Sequence, residues 1–179
     1  MTLIKSISGI RGTIGGQTDQ GLTPPDIVKF TSAFAAFILK RSGKKRIKVI
    51  IGRDARISGE MVRNLVVGTL QGFGADVVDL GLSTTPTVEV AVPNENADAG
   101  IIITASHNPA QWNALKLLNE KGEFISAEDG AEVLRIGEEG ALSFAEVHDL
   151  GSYSEDNSYL DKHIQMVLDL PLVDKEAIQ

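Results

Sequence analysis

The chain has 179 residues, 42% hydrophobic and 23% charged, with a net charge of -7 and no cysteine. That length suffices for one domain with a full core. The negative balance argues against nucleic acid or an anionic membrane as main partner, and disulfides, thiolate zinc sites and thiol nucleophiles are excluded. His107, His148 and His163 stand far apart, which disfavours a histidine-rich metal site. No apolar run nears the ~20 residues of a membrane span. Met1-Thr2-Leu3-Ile4-Lys5 has no signal-peptide apolar region, so the expected location is cytoplasmic.

Leu3 to Ile7 reads as a short strand. It runs into Ser8-Gly9-Ile10-Arg11-Gly12-Thr13-Ile14-Gly15-Gly16, a glycine-rich loop with one arginine. Glycine lets a backbone approach a ligand closely, so the loop suits an anion. It suits equally a surface hairpin with Arg11 solvated. Thr23-Pro24-Pro25-Asp26 opens a helix, with proline at the first position and an acid at the positive end. Ile27, Phe30, Phe34, Phe37 and Ile38 give it one buried face, and Ser42-Gly43 closes it. Ile47 to Ile51 is a strand. At its C-terminal end Gly52-Arg53-Asp54-Ala55-Arg56 crowds two arginines and an aspartate into one turn. Arg53 is there a candidate ligand for phosphate, or the partner of Asp54 in an ion pair.

A helix from Gly59 buries Val62, Leu65, Val66, Leu70 and Phe73 and ends at Gly74. Ala75 to Leu80 is the next strand, and a short helix starts at Pro86. Ala99 to Thr104 follows, its Ile101-Ile102-Ile103 fit for burial on both faces. Strand, helix, strand, helix, strand is the pattern of a parallel sheet with right-handed crossovers. The expected fold class is α/β: a three-layer α/β/α domain with a mixed, mainly parallel sheet and helices on both faces. Ala114 to Asn119, a turn at 120–123 and Phe124-Ile125 read as an added hairpin. Ser126 and Asp129 start a helix to about Glu139. Residues 140–158 read as a polar linker, and Tyr159, Ile164, Val167 and Leu168 as one more helix.

The chemistry concentrates at residues 101–109. Asn108-Pro109 stops the strand, and ligands of open α/β sheets bind beyond the carboxyl ends of strands. Ser42-Gly43-Lys44 lacks the upstream glycine of a Walker A loop. Ser106 and His107 are neighbours with no G-x-S-x-G elbow. What remains is a serine at a strand end, with Arg11, Arg53 and Lys116 available. That suits a serine carrying a phosphoryl group of roughly -1.5 to -2 charges. N–H groups, Arg, Lys or a divalent ion would hold it, and transfer would proceed by positioning and charge stabilisation. Thr104-Ala105-Ser106 suits a hydrogen-bonded strand end equally well.

Thr104-Ala105-Ser106-His107-Asn108-Pro109, with Lys116 ten residues after the serine, resembles the α-D-phosphohexomutases: phosphoglucomutases, phosphomannomutases and phosphoglucosamine mutases. Ser8-Gly9-Ile10-Arg11-Gly12 resembles their N-terminal substrate loop. Gly52-Arg53-Asp54 with Ser58-Gly59 resembles their second signature. The resemblance covers about residues 3–150, the first of four family domains. It implies that residues 1–150 form domain I and that residues 151–179 are the linker and first helix of domain II.

The resemblance also implies roles. Ser106 would be the phosphoserine and Lys116 a general acid/base. Arg11 would stabilise the transferring phosphoryl, and His107 would position substrate or carry protons. Arg53 and Asn108, with Arg11, would bind substrate phosphate. A Mg²⁺ ion would take one oxygen of phosphorylated Ser106, its other ligands coming from a D-x-D-x-D loop that this chain lacks. A hexose 1,6-bisphosphate would serve as activator. Ala114 stands where the family usually has glycine, and Trp112 where it commonly has tyrosine. The expected function is intramolecular phosphotransfer between hexose 1-phosphate and hexose 6-phosphate, in concert with domains II–IV of the same polypeptide. This chain by itself is expected to be inactive. The alternative is a non-catalytic module that binds sugar phosphates through Arg11 and Arg53.

Overall fold

The computed structural model describes residues 1–6 and 9–178. Ile7 and Ser8, where the first expected strand meets the glycine-rich segment, lie outside the described residues, as does Gln179. In chain order the elements are β1 (Ile4–Ser6), β2 (Gly9–Thr13), α1 (Pro24–Ser42), β3 (Lys48–Arg53), α2 (Gly59–Phe73), β4 (Asp76–Leu82), α3 (Thr85–Asn94), β5 (Ala99–Ile103), β6 (Trp112–Leu118), α4 (Ala127–Glu139), β7 (Tyr153–Glu155), α5 (Tyr159–Leu168) and α6 (Lys175–Ile178).

The helices form where capping and apolar spacing agree. Asp26 is wholly buried because its carboxylate accepts the N–H groups of Thr23 (3.0 Å) and Asp19 (3.1 Å), satisfying donors at the helix entry. Gly43 and Gly74 end α1 and α2 in the left-handed conformation, which costs glycine nothing. Ser126 caps α4 by accepting the Asp129 N–H. No helix among the described residues is long and apolar enough to cross a membrane.

The strands form one sheet in the order β1-β2-β6-β5-β3-β4-β7. The parallel half, β5-β3-β4-β7, is wound by helical crossovers. The other half is antiparallel, with β6 between β5 and β2. Strands β2, β5, β3, β4 and β7 thus run one way, and β1 and β6 the other. All five residues of β5 are buried, as its unbroken apolar run requires. Ile101 and Ile103 face α1, α2 and α4 with Phe30, Phe34, Val66 and Leu115. Ile102 faces α3 and α5 with Ile50, Val88, Val92 and Leu118. The layers are therefore α/β/α. Two glycines let α3 lie close on this face: a Cβ on Gly52 would sit 2.6 Å from Val88 Cγ2, and one on Gly100 2.7 Å from Val92 Cγ2.

Three local expectations differ from what forms. Gly9–Thr13, read as a loop, is a strand paired to β6. Gly9 permits the close approach: with φ +109°, its added Cβ would lie 2.1 Å from the Leu115 carbonyl oxygen. Phe124 makes only a single bridge to Leu118 instead of a second hairpin strand, because β6 finds its partner in β2. The stretch read as polar linker is tied to the sheet. Gly151 N–H donates to the Gln71 carbonyl (2.9 Å) and Val77 N–H to that of Ser152 (2.9 Å). Arg46 donates to the carbonyls of Asp149 and Leu150, each at 3.1 Å, and β7 extends the sheet beside β4. Tyr159, at the start of α5, is buried in the α3-side core and donates to Glu95 Oε1 (2.7 Å). A three-residue polar edge strand has no apolar alternation to announce it.

Asp76 fastens this segment. Burial pushes its carboxyl upward, but the Ser152 N–H and hydroxyl and the Arg46 guanidinium outweigh that and hold it below its ordinary value of 3.8. A depressed carboxylate stabilises the fold fully above the unfolded value, and loses that contribution as pH falls through the lower folded value. Acidification below 3.8 is therefore expected to speed amide exchange at residues 150–155 before α1 responds. Equal protection of both segments throughout the acid titration would count against this.

Candidate active site

The carboxyl ends of β5 and β3 meet the start of β6 at one edge of the molecule. Asp54 N–H donates to the Ile103 carbonyl (3.1 Å), carrying the β3–β5 pairing one step past the strands. This sets the Asp54 carboxylate beside the loop 104–109. The carboxylate accepts the Thr104 hydroxyl (2.6 Å), the Arg56 Nε–H (3.2 Å) and the Arg56 backbone N–H (3.1 Å). Thr104 Oγ1 in turn accepts the Ser106 N–H (3.0 Å).

Arg56 organises the loop from below. Its Nη2 donates to the carbonyls of Ser106 (2.8 Å) and Asn108 (2.7 Å), and its Nη1 to those of Pro109 (2.8 Å) and Trp112 (3.1 Å). The side chain is only 11% exposed. Asn108 closes the turn, donating its backbone N–H (3.0 Å) and its Nδ2 (2.8 Å) to the Ala105 carbonyl.

Ser106 sits at the crest of this loop. Its φ is 54°, a left-handed conformation that costs a non-glycine residue about 1–3 kcal/mol. Ser106 and its neighbour His107 are exposed. An exposed serine at a strained position, on a loop tied down by Arg56 and Thr104, is a group presented to a partner.

Arg11 and Lys116 lie on one sheet face with Thr104. Arg11 is paired with Ala114, Lys116 with Ile102, and Thr104 N–H donates to the Ala114 carbonyl (3.2 Å). Residues opposite each other across antiparallel strands, and residues two apart along one strand, share a face. Arg11 and Lys116 are thus diagonal neighbours. Arg11 Nε is buried without a hydrogen-bond partner among the described residues. An unpaired buried donor costs about 1–3 kcal/mol and is a ready contact for an anion. The Lys116 ammonium lies 5.7 Å from the centre of the Phe124 ring, in cation–π range.

Arg53 goes elsewhere. It is in register with Ile103, so it turns to the α2 side of the sheet, where its Nη1 donates to the Asp54 carbonyl (3.2 Å). It lines a cavity of about 270 Å³ with Glu60, Arg63, Asp79 and Glu155. No residue of the serine loop borders that cavity. The ion pair of the turn is Asp54 with Arg56, in place of Asp54 with Arg53. Asn108 spends its amide inside the loop. Arg56, Asp54 and Thr104 stand in the quoted motifs but have no place among the expected site residues. The signal was the second arginine of Arg53-Asp54-Ala55-Arg56, one cation more than a single aspartate can pair.

The residues present do not by themselves fit a resident magnesium ion. Among the described residues no three His, Asp or Glu side chains cluster to hold a metal, and Ser106 offers one oxygen.

Replacing Ser106 by glycine removes the left-handed strain. Ser106→Gly is expected to raise unfolding stability by about 1 kcal/mol, read as a higher denaturant midpoint at unchanged slope, whereas Ser106→Ala should not. A destabilised glycine variant would contradict the strained assignment.

Comparison with known proteins identifies the family. Residues 3–142 match the family described as phosphoglucomutase/phosphomannomutase, alpha/beta/alpha domain I. A phosphoglucomutase/phosphomannomutase of Thermococcus kodakarensis is 41% identical over 124 residues, 68% of this chain and 27% of that protein. The phosphoglucosamine mutase of Bacillus subtilis is 39% identical over 131 residues, 73% of this chain and 28% of that protein. A solved phosphoglucomutase/phosphomannomutase family protein from Burkholderia thailandensis superposes with a TM-score of 0.74 at 22% identity, over 93% of this chain and 36% of that one; it attests the fold. The chain spans roughly a third or less of the length of these relatives. The serine loop, the two strands facing it and the three-layer fold fall inside the matched stretch, and the chain belongs to the phosphoglucomutase/phosphomannomutase family through its α/β/α domain I.

Proposed function

We propose that this chain contributes the phosphoryl-carrying serine of a phosphohexomutase that interconverts hexose 1-phosphate and hexose 6-phosphate. The observation that carries the reading is Ser106: exposed, left-handed at φ 54°, on a loop held by Arg56, Thr104 and Asn108. The relatives are named for phosphoglucose, phosphomannose and phosphoglucosamine mutation, and those three hexose phosphates define the substrate class.

In this reading phosphorylated Ser106 gives its phosphoryl to a free hydroxyl of a hexose phosphate. The new O–P bond forms on the sugar oxygen, the Ser106 Oγ–P bond breaks with its electron pair on Oγ, and Lys116 acts as general acid/base, giving a proton to Oγ as it takes the sugar hydroxyl proton. The hexose 1,6-bisphosphate so formed turns in the site and returns its other phosphoryl to Ser106, Lys116 taking the Oγ–H proton and giving one to the departing sugar oxygen. Arg11, with its unpartnered Nε, steadies the charge on the transferring group, as phosphoryl transfer demands. His107, next to the serine, positions substrate or carries a proton. A Mg²⁺ ion on the Ser106 phosphoryl needs ligands from outside the described residues. The rest of the reaction site belongs to a polypeptide of the relatives' length, so the chain by itself should turn over little substrate.

The test uses the whole polypeptide. After incubation with glucose 1,6-bisphosphate, peptide mass analysis should find one added phosphate on Ser106. Sugar-phosphate binding with no such transfer, together with undiminished activity in Ser106→Ala, would sink the mutase reading in favour of a binding module. Lys116→Met should lower kcat by about 10²-fold or more, the scale of a general acid/base; a near-wild-type rate would remove Lys116 from the mechanism.

A further inference from the structure

We infer that Arg56 is a positioning residue for phosphoryl transfer at Ser106, holding the serine for in-line attack without touching the phosphate. The inference rests on the functional reading above and adds a part to it. An arginine side chain has five N–H donors in a fixed planar fork. In this structure all five have acceptors. The Nε–H goes to Asp54, and four terminal N–H groups go to the carbonyls of Ser106, Asn108, Pro109 and Trp112. No donor is left for a phosphate oxygen. That separates Arg56 from Arg11, whose Nε is buried and unspent.

The placement of the acceptors gives the role. They span the loop from the serine itself to the first residue of β6, and one of them is the carbonyl of the strained residue. The left-handed Ser106 is fixed from both ends. Thr104 Oγ1 takes its N–H and Arg56 takes its carbonyl, with Asp54 joining the two holders. The peptide planes on either side of Ser106 therefore cannot rotate without breaking a hydrogen bond, charge-assisted on the carbonyl side. Left free, the residue would relax from the left-handed region and swing its hydroxyl away. Oγ must form its O–P bond in line with the departing sugar oxygen, losing its proton to Lys116, while the sugar oxygen takes the breaking bond's electron pair and a proton from Lys116. An error of about 1 Å in such a step can cost 10²-fold in rate. Lysine has three donors on one point and cannot span four carbonyls.

The experiment follows transfer from glucose 1,6-bisphosphate to Ser106 in a single turnover by rapid quench, on the whole polypeptide. It compares wild type, Arg56→Lys and Arg56→Gln. For both variants the rate constant should fall by about 10²-fold, while the final stoichiometry of phosphoserine and the Kd for hexose phosphate stay near wild type. A merely structural role would instead lower the stoichiometry through misfolded protein and leave the rate constant of the folded fraction unchanged. That result, or wild-type rate constants in either variant, overturns the inference alone. No phosphate on wild-type Ser106 overturns the functional reading and this inference with it.

Discussion

The bond on which the rest of the site depends is the one between a guanidinium and backbone carbonyls. A cation that is 11% exposed must be repaid in full for lost hydration. A lone carboxylate could pair it, but Asp54 shares its oxygens with Thr104 as well. The remaining compensation comes from four carbonyl dipoles, and carbonyls in a turn point the same way only if the turn has one shape. The charge of Arg56 thus dictates the loop conformation, including the left-handed serine. Remove the charge and four carbonyls lose their shared partner at once.

A second constraint is the change of strand direction in the middle of the sheet. Parallel strands β3 and β5 bring two loops to one end, as any doubly wound sheet does. The antiparallel β6 then carries the chain back beneath the serine loop, and β2 pairs on its far side. That return places Lys116 and Arg11 on the face that continues through Ile102 to Thr104. It also leaves α3 over β3 and β5, where Gly52 and Gly100 admit it closely. The sheet is therefore divided: one half supports the Ser106 loop, the other carries Arg11 on β2, and β6, which bears Lys116, joins them.

Much of this was readable from residue order. The apolar run of β5, the proline-led start of α1 and the glycine ends of α1 and α2 declare themselves by local rules. So does the strand-end serine. The parts that were not readable share a reason: their cause is distant in sequence. Gly9–Thr13 looks like a loop because its glycines carry no β propensity; it is a strand because β6 offers an edge. Residues 153–155 are three polar positions that become a strand only against β4. Arg53 attracts attention as the motif arginine, yet register with Ile103 turns it to the α2 side. Arg56 was hard to weigh because its partners are carbonyls, which every residue has, so no side-chain motif marks them.

The separation between Arg56 and its acceptors has a consequence for the order of events on a growing chain. The guanidinium is made some fifty residues before the carbonyls it needs, the last belonging to Trp112. Until that residue is available, Arg56 cannot be buried and the 52–59 turn has no reason to settle. Ser106 is not yet held left-handed either, since Arg56, one of its two holders, is not yet fixed. The geometry of the Ser106 loop is thus completed late, and only when β3, β5 and β6 are registered together. A misregistered intermediate would carry the serine but not its left-handed pose until its fold was right.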